Sequence, residues 1–393
     1  KKMKLQSDFL AKTTNTPFNI EVEKAEGVYI FDKQGKKYFD LISGIAVSNL
    51  GHNNLAINAA IKEQVDKYLH VMVFGEYSQT PQIELANKLN ELLPDNLTTS
   101  YFVNSGTEAN EAALKLAKRY TGRTEIIAFY KSYHGSTHGS LSVSGNEVKK
   151  NAFRPLLPDV RFIHFDNLLD LQNITKKTAC VIVEPIQGDA GVRIPTKVFM
   201  EALRSKCDET GTLLIFDEIQ TGFGRTGKFF AFEHFNVVPD ILTIAKAMGG
   251  GMPIGAFIAS KEIMDALTRN PELGHITTFG GHPVNGVAAL TNINELLKDN
   301  LIASVEKKGQ LFEEIITHPS IKEIRRKGLF FAIEMDSPET VQKVVEGCKN
   351  RGVLSFWFLS CPESFRIAPP LTISENEIRI SAKIIWEMIN ELD

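Results

Sequence analysis

Two polar residues end apolar runs in the middle of this chain. TLLIFD closes on Asp217, and ILTIA runs directly into Lys246, with Ala-Met-Gly-Gly-Gly beyond it. A carboxylate at the end of a buried run is costly unless something pairs with it. A lysine in a desolvated or electropositive setting loses its proton more readily, and the neutral amine is a nucleophile. Taken singly, such a lysine reads as a snorkelling surface residue and such an acid as a helix cap. Taken together they offer an amine for a Schiff base and a carboxylate for a protonated ring nitrogen, the two ends of a pyridoxal phosphate site.

Other segments could complete that site. Asn104-Ser105-Gly106-Thr107-Glu108 joins a strand to a helix. A helix start offers unpaired N–H groups and a positive dipole end, and Ser105 and Thr107 add hydroxyls, so phosphate fits there. The plain reading is an N-cap. Tyr133-His134-Gly135 places an aromatic ring after a strand, where it could stack on a flat cofactor, with Gly135 permitting close approach. Gln220, three residues past Asp217, could reach a phenolic oxygen. Glu184, which ends CVIVE, is a candidate partner for an arginine. Arg366, in SFRIAPP, could grip a substrate carboxylate through two parallel hydrogen bonds, and a Glu–Arg pair could open for one substrate and close for another. Thr277-Thr278-Phe279-Gly280-Gly281 adds hydroxyls in a glycine-rich setting.

The elements that must position these residues alternate. Helical spacing runs over 55–70, 80–93 and 107–120, and strand-like runs cover 99–104, 125–130, 161–165, 180–185, 212–217, 241–245 and 254–259. Most of the strands are continuously apolar, so both faces are covered, as in a largely parallel α/β sheet. After about residue 285 a long helical stretch (284–317), strand-like RRKGLFFAIEM, a helix near 337–350 and a last helix from about 374 to 392 predict a smaller α+β domain. GVYIFD and KKYFDL, around a DKQGKK turn, are expected to pack on that domain or to line the site's entrance. The expected divisions are an N-terminal segment 1–45, a large domain 46–285 and a small domain 286–393.

Composition narrows the class. Of 393 residues 43% are hydrophobic, and 44 basic against 47 acidic side chains give a net charge of −3. That balance does not point to nucleic acid. No apolar run reaches the roughly 20 residues of a membrane span. KKMKLQSDFL lacks the apolar stretch of a signal peptide, and Met3 is a candidate native start. Cys180, Cys207, Cys348 and Cys361 show no CxxC pairing, so neither a disulfide framework nor a zinc site is expected, and a cytoplasmic setting is.

SGTEANEAALKLA, YHG, VEPIQGDAG, IFDEIQTGFGRTG, the Lys246 segment and TTFGGHP, in that order, closely resemble the class III aminotransferases of pyridoxal phosphate fold-type I. The nearest branch is the acetylornithine, ornithine and 4-aminobutyrate group, and the resemblance runs from about Phe18 to the C-terminus. It implies a large domain with a mostly parallel seven-stranded sheet and a small α+β domain. It implies pyridoxal 5'-phosphate on Lys246, with Asp217 at the pyridine nitrogen, Tyr133 stacked on the ring, His134 among the cofactor-binding residues, Gln220 near the phenolic oxygen, and Ser105, Gly106 and Thr107 on the phosphate. Thr278 would reach the phosphate of a neighbouring subunit, which implies a homodimer with shared sites. Arg366 would bind the α-carboxylate of glutamate or 2-oxoglutarate, and Glu184 would mask it while an ω-amino donor is bound. The implied reaction is a ping-pong transfer from that donor to 2-oxoglutarate; a same-fold aminomutase or epimerase is the alternative. Two positions depart from the pattern. Ser136 stands where acetylornithine and ornithine enzymes usually have arginine, so a second carboxylate anchor is missing or comes from elsewhere, Arg154 and the first 45 residues being the candidates. Ile45 stands where ornithine enzymes have tyrosine, which tilts away from ornithine.

Overall fold

The computed structural model describes residues 9–73 and 75–392, so Met3 lies outside the described residues. Three strands open the fold: β1 (Val22–Glu26), β2 (Tyr29–Asp32) and β3 (Lys37–Asp40). The turn between β2 and β3 is built by Asp32, whose Oδ1 accepts from the N–H groups of Gln34 and Lys36 at 3.0 and 2.8 Å. Gly35 there has a φ of +81°, a conformation that favours glycine.

Seven strands form the central sheet: β4 (Thr99–Val103), β5 (Glu125–Phe129), β6 (Val160–Ile163), β7 (Thr178–Val183), β8 (Leu213–Asp217), β9 (Ile241–Ile244) and β10 (Gly255–Ala259). Their spatial order is β4-β10-β9-β8-β7-β5-β6. All seven runs expected as strands are strands. Only β10 runs against its neighbours, pairing antiparallel with both β4 and β9. Every residue of β7, β8, β9 and β10 is buried, which is why these strands read as unbroken apolar runs.

The helix Gly106–Thr121 covers one face. Ser105 caps it, its Oγ accepting from the Glu108 N–H at 3.2 Å, and Ala109, Ala112, Ala113 and Ala117 are the small residues that let it lie close on the sheet. Gly122, at φ +69°, ends it. On the other face a larger apolar core runs through the helix Lys197–Thr210 and onward into the C-terminal half of the chain.

The last strands are β11 (Glu323–Lys327), β12 (Phe330–Glu334), β13 (Val353–Leu354), β14 (Phe356–Trp357) and β15 (Ser364–Ile367). An antiparallel sheet has the order β11-β12-β15-β14, while β13 joins β3 in parallel, Val353 opposite Phe39. The stretch expected as one long helix is two, Pro283–Leu296 and Leu301–Ile316. Asp299 and Asn300, both at positive φ, break it without interrupting the apolar period. Among the described residues no helix is long and apolar enough to cross a membrane, and the four cysteines are unpaired.

Candidate active site

The carboxyl ends of β4, β7, β8 and β9 all meet one edge of the sheet, where open α/β folds bind ligands. A cavity of about 470 Å³ lies there, lined among others by Ser105, Tyr133, Glu184, Asp217, Gln220 and Lys246. Gly106, Thr107, His134 and Ser136 lie in the same wall.

Asp217, the last residue of β8, is 4% exposed. Its Oδ1 accepts from the Ile219 N–H at 3.0 Å, and its Oδ2 accepts from Asn110 Nδ2 at 2.8 Å and lies 2.7 Å from His134 Nδ1. Asn110 is itself fixed, donating to His134 O at 2.7 Å and accepting from Thr243 Oγ1 at 2.8 Å. A buried carboxylate held by several donors keeps its orientation. His134 thus lines the cavity and orients Asp217.

Lys246 follows β9 with φ +48°, a left-handed conformation that costs a non-glycine residue roughly 1 kcal/mol. It is held there by its surroundings. Asn292 Nδ2 donates to Ala247 O at 2.7 Å, and Gly250 and Gly251 turn the chain at φ +58° and +105°. Burial of the amine lowers its pKa below the ordinary lysine range; Asp217 and Glu184 pull it up, and the Arg366 charge pushes it down. The net shift is toward the neutral, nucleophilic form.

The plain cap reading of Ser105 is correct for its hydroxyl, yet the first-turn N–H groups of Gly106 and Thr107 have no partner within the helix. Glycine is required twice around them. A Cβ on Gly106 would lie 2.8 Å from Ile219 Cδ1, and one on Gly135, at φ +132°, would lie 2.3 Å from Thr107 Oγ1. The second contact packs the Tyr133 loop against the helix start. Thr107 Oγ1 also meets Thr137 Oγ1 at 2.7 Å.

Tyr133 is 40% exposed in the cavity wall. Its N–H donates to Glu184 Oε1 at 3.1 Å, and the Gly188 N–H donates to Glu184 Oε2 at 2.9 Å. Burial raises the Glu184 pKa to about 7; the His134 charge opposes that rise and the Asp217 charge adds to it.

Arg366, on β15, is 4% exposed, and burial lowers its pKa. Its guanidinium lies 4.5 Å from the Phe358 ring centroid. The carboxylate that faces it is Asp189, at 3.5 Å, and not Glu184. Asp189 also accepts from the Leu359 N–H at 3.1 Å and from Ser360 Oγ at 3.2 Å. Thr278 and Ile45 are exposed and line no part of the cavity. Ile45 lies in a left-handed turn, Ser43–Ala46, with φ between +52° and +65°. Arg154 is engaged by Glu147 through three hydrogen bonds of 2.8–3.0 Å.

Asn110 and Asp189 were not singled out from the sequence. Asn110 was detectable as an amide on the apolar face of a helix. Asp189 carries no local signal, since it lies in a loop and meets Arg366 only through the fold.

The residues present fit pyridoxal phosphate: a buried, oriented carboxylate, an amine held toward its neutral form, and a helix start cradled by glycines share one cavity. The chain matches the family model described as aminotransferase class-III over residues 10–389. An acetylornithine aminotransferase from Methanopyrus kandleri is 40% identical over 93% of this chain and 93% of its own length. A [LysW]-aminoadipate semialdehyde/glutamate semialdehyde transaminase from Sulfurisphaera tokodaii is 42% identical, over 82% and 83%. Among solved structures, the ornithine aminotransferase from Toxoplasma gondii superposes with a TM-score of 0.90 at 28% identity, covering 96% of this chain and 92% of that one. The fold is that of the fold-type I transaminases. With the match spanning nearly the whole chain and the lysine and aspartate meeting at the sheet edge, the protein belongs to the class III aminotransferases.

Proposed function

We propose that this aminotransferase moves an amino group from an ω-amino donor of the ornithine, acetylornithine or 4-aminobutyrate kind to 2-oxoglutarate, in two half-reactions that share one site. The observation that carries this reading is the convergence of Lys246 and the oriented Asp217 carboxylate on a single cavity. The names of the relatives support the donor class.

When bound, pyridoxal 5'-phosphate supplies an aldehyde carbon for the amine and a ring that takes up electron density as a substrate C–H bond breaks. Lys246 would hold that carbon between turnovers. Its Nζ, shifted toward the neutral form, would be the group that takes up and carries the proton of the substrate carbon. Asp217 would hold the proton on the ring nitrogen, and His134 and Asn110 keep Asp217 from turning away. The Gly106 and Thr107 N–H groups, with Ser105, would hold the phosphate, Tyr133 would stack on the ring, and Gln220 would be the residue for the phenolic oxygen. Arg366 binds the α-carboxylate of glutamate or 2-oxoglutarate, and Asp189 is the group that covers Arg366 while the donor is bound. Thr278 is presented to the phosphate of a second subunit in a homodimer.

The test is a pair of half-reactions followed separately. Arg366→Ala is expected to lower kcat/KM for 2-oxoglutarate by 100-fold or more, since a buried charge-assisted pair is worth roughly 3 kcal/mol, while the donor half-reaction changes less than fivefold. Equal loss in both half-reactions would remove the acceptor role from Arg366.

A further inference from the structure

Gly188 lies in the buried loop after β7, between Glu184 and Asp189. It is not at a positive φ, so the backbone there does not call for glycine. Both of its main-chain groups are taken. Its N–H donates to Glu184 Oε2 at 2.9 Å, and its carbonyl accepts from the N–H groups of Gly191 and Val192, each at 3.1 Å. A residue pinned at both groups holds its place, and a side chain added to it would stay where it is put.

The missing side chain leaves room for Gln220. An ideal Cβ on Gly188 would overlap Gln220 Oε1 and lie 3.1 Å from both Gln220 Cδ and Phe330 Cζ. Phe330, on β12, is fully buried in the close-packed core and has little freedom to give way. Gln220 lines the Lys246 cavity, and among the described residues its amide makes no hydrogen bond. The amide oxygen is seated in the notch at Gly188. That leaves the amide nitrogen, a donor, as the end free for the cavity. The part of the cofactor that calls for a neutral donor is its phenolic oxygen.

We infer that Gly188 is a positioning residue for the cofactor: its bare backbone is the stop against which the Gln220 amide rests, and so it sets how far that amide stands from the phenolic oxygen. The inference rests on the cofactor reading of the Lys246 cavity and adds to it a residue that does not itself line the cavity. Unstrained contacts begin near roughly 3.5 Å, so a methyl group at Gly188 would push the amide back by on the order of 1 Å. A hydrogen bond lengthened that far is lost. The terminal amide of a flexible side chain can make that retreat without disturbing the fold.

The test titrates two unreactive ring analogues, by calorimetry, into the protein freed of cofactor. One is pyridoxal phosphate with its aldehyde replaced by a methyl group; the other is the same compound without the ring hydroxyl. The native protein is expected to bind the first about tenfold more tightly, the worth of about one hydrogen bond in a desolvated site. Gly188→Ala and Gln220→Ala should each cut that preference below about threefold while moving the affinity for the hydroxyl-free compound less than about twofold. The double variant should bind both compounds as Gln220→Ala alone does. Equal weakening of both compounds by Gly188→Ala, a preference left at about tenfold, or a double variant weaker than Gln220→Ala would overturn the positioning role. Should Gly188→Ala fail to fold, the double variant decides, because it removes the side chain that the new methyl group meets. Recovery of folding and of the binding seen for Gln220→Ala supports the role, and continued failure overturns it. If the native protein does not distinguish the two compounds, the Gln220 assignment falls together with that of Gly188, while covalent trapping of the cofactor on Lys246 reads the aminotransferase site separately.

Discussion

Glu184 is a buried carboxyl group whose pKa rises to about 7, with burial the first cause. In the unfolded chain it titrates near 4.5. Between those values the native state keeps a proton that the unfolded state has released, so this group's contribution falls as pH rises from about 4.5 to about 7. At roughly 1.4 kcal/mol per unit the loss approaches about 3 kcal/mol. Glu184→Gln removes the titration, and its single amide oxygen keeps an acceptor for only one of the Tyr133 and Gly188 N–H groups, a loss that does not vary with pH. It is therefore expected to flatten the decline of stability over that range, read by denaturant unfolding at several pH values; an unchanged slope would assign the decline to another group, such as Glu218, which burial also raises to about 7. The same residue marks the limit of what the sequence conveys. Glu184 and Asp189 both follow β7 closely and both are acids. Which of them faces Arg366 depends on how the loop turns after Glu184 is taken by two backbone N–H groups, and no periodicity records that. Lys246, Asp217 and the Ser105 segment were legible because each ends an apolar run, and such ends gather at one sheet edge.

At the scale of elements, Arg225 shows how the pieces around the site are locked together. It is fully buried, donates to Leu329 O at 2.9 Å and to Pro369 O at 2.6 Å, and reaches Asn49 Oδ1 at 2.6 Å. One guanidinium thus ties the segment after β8 to the segment before the helix Leu55–Lys67 and to the loops beside β12 and β15. Arg225→Ala leaves several buried acceptors unpaired and a void behind them. A loss of about 3 kcal/mol or more is expected, measured by urea unfolding, and a change below 1 kcal/mol would mean that the joint is not structural. The strands themselves were readable from their apolar runs, but the reversal of β10 was not: a continuous run reports burial on both faces and says nothing about direction. The break at Asp299–Asn300 was hidden for a similar reason, because the apolar period continues across it.

At the scale of the molecule, Thr278 stands in an exposed loop with Leu273, Ile276 and Phe279, which are 71%, 68% and 54% exposed. Large apolar side chains grouped in that way mark an interaction surface, and the proposed homodimer would cover them while bringing Thr278 to the second site. Ile276→Glu is expected to convert dimer to monomer in light scattering and to reduce activity at least tenfold; a dimer that persists with full activity would place the interface elsewhere. The central claim, that amino transfer runs through Lys246, is tested most directly by reducing the pyridoxal phosphate-loaded protein with borohydride and mapping the modified peptide by mass spectrometry. The pyridoxyl group is expected on Lys246 alone, with none trapped in Lys246→Ala. Trapping on another lysine, or equal trapping in the variant, would contradict the account.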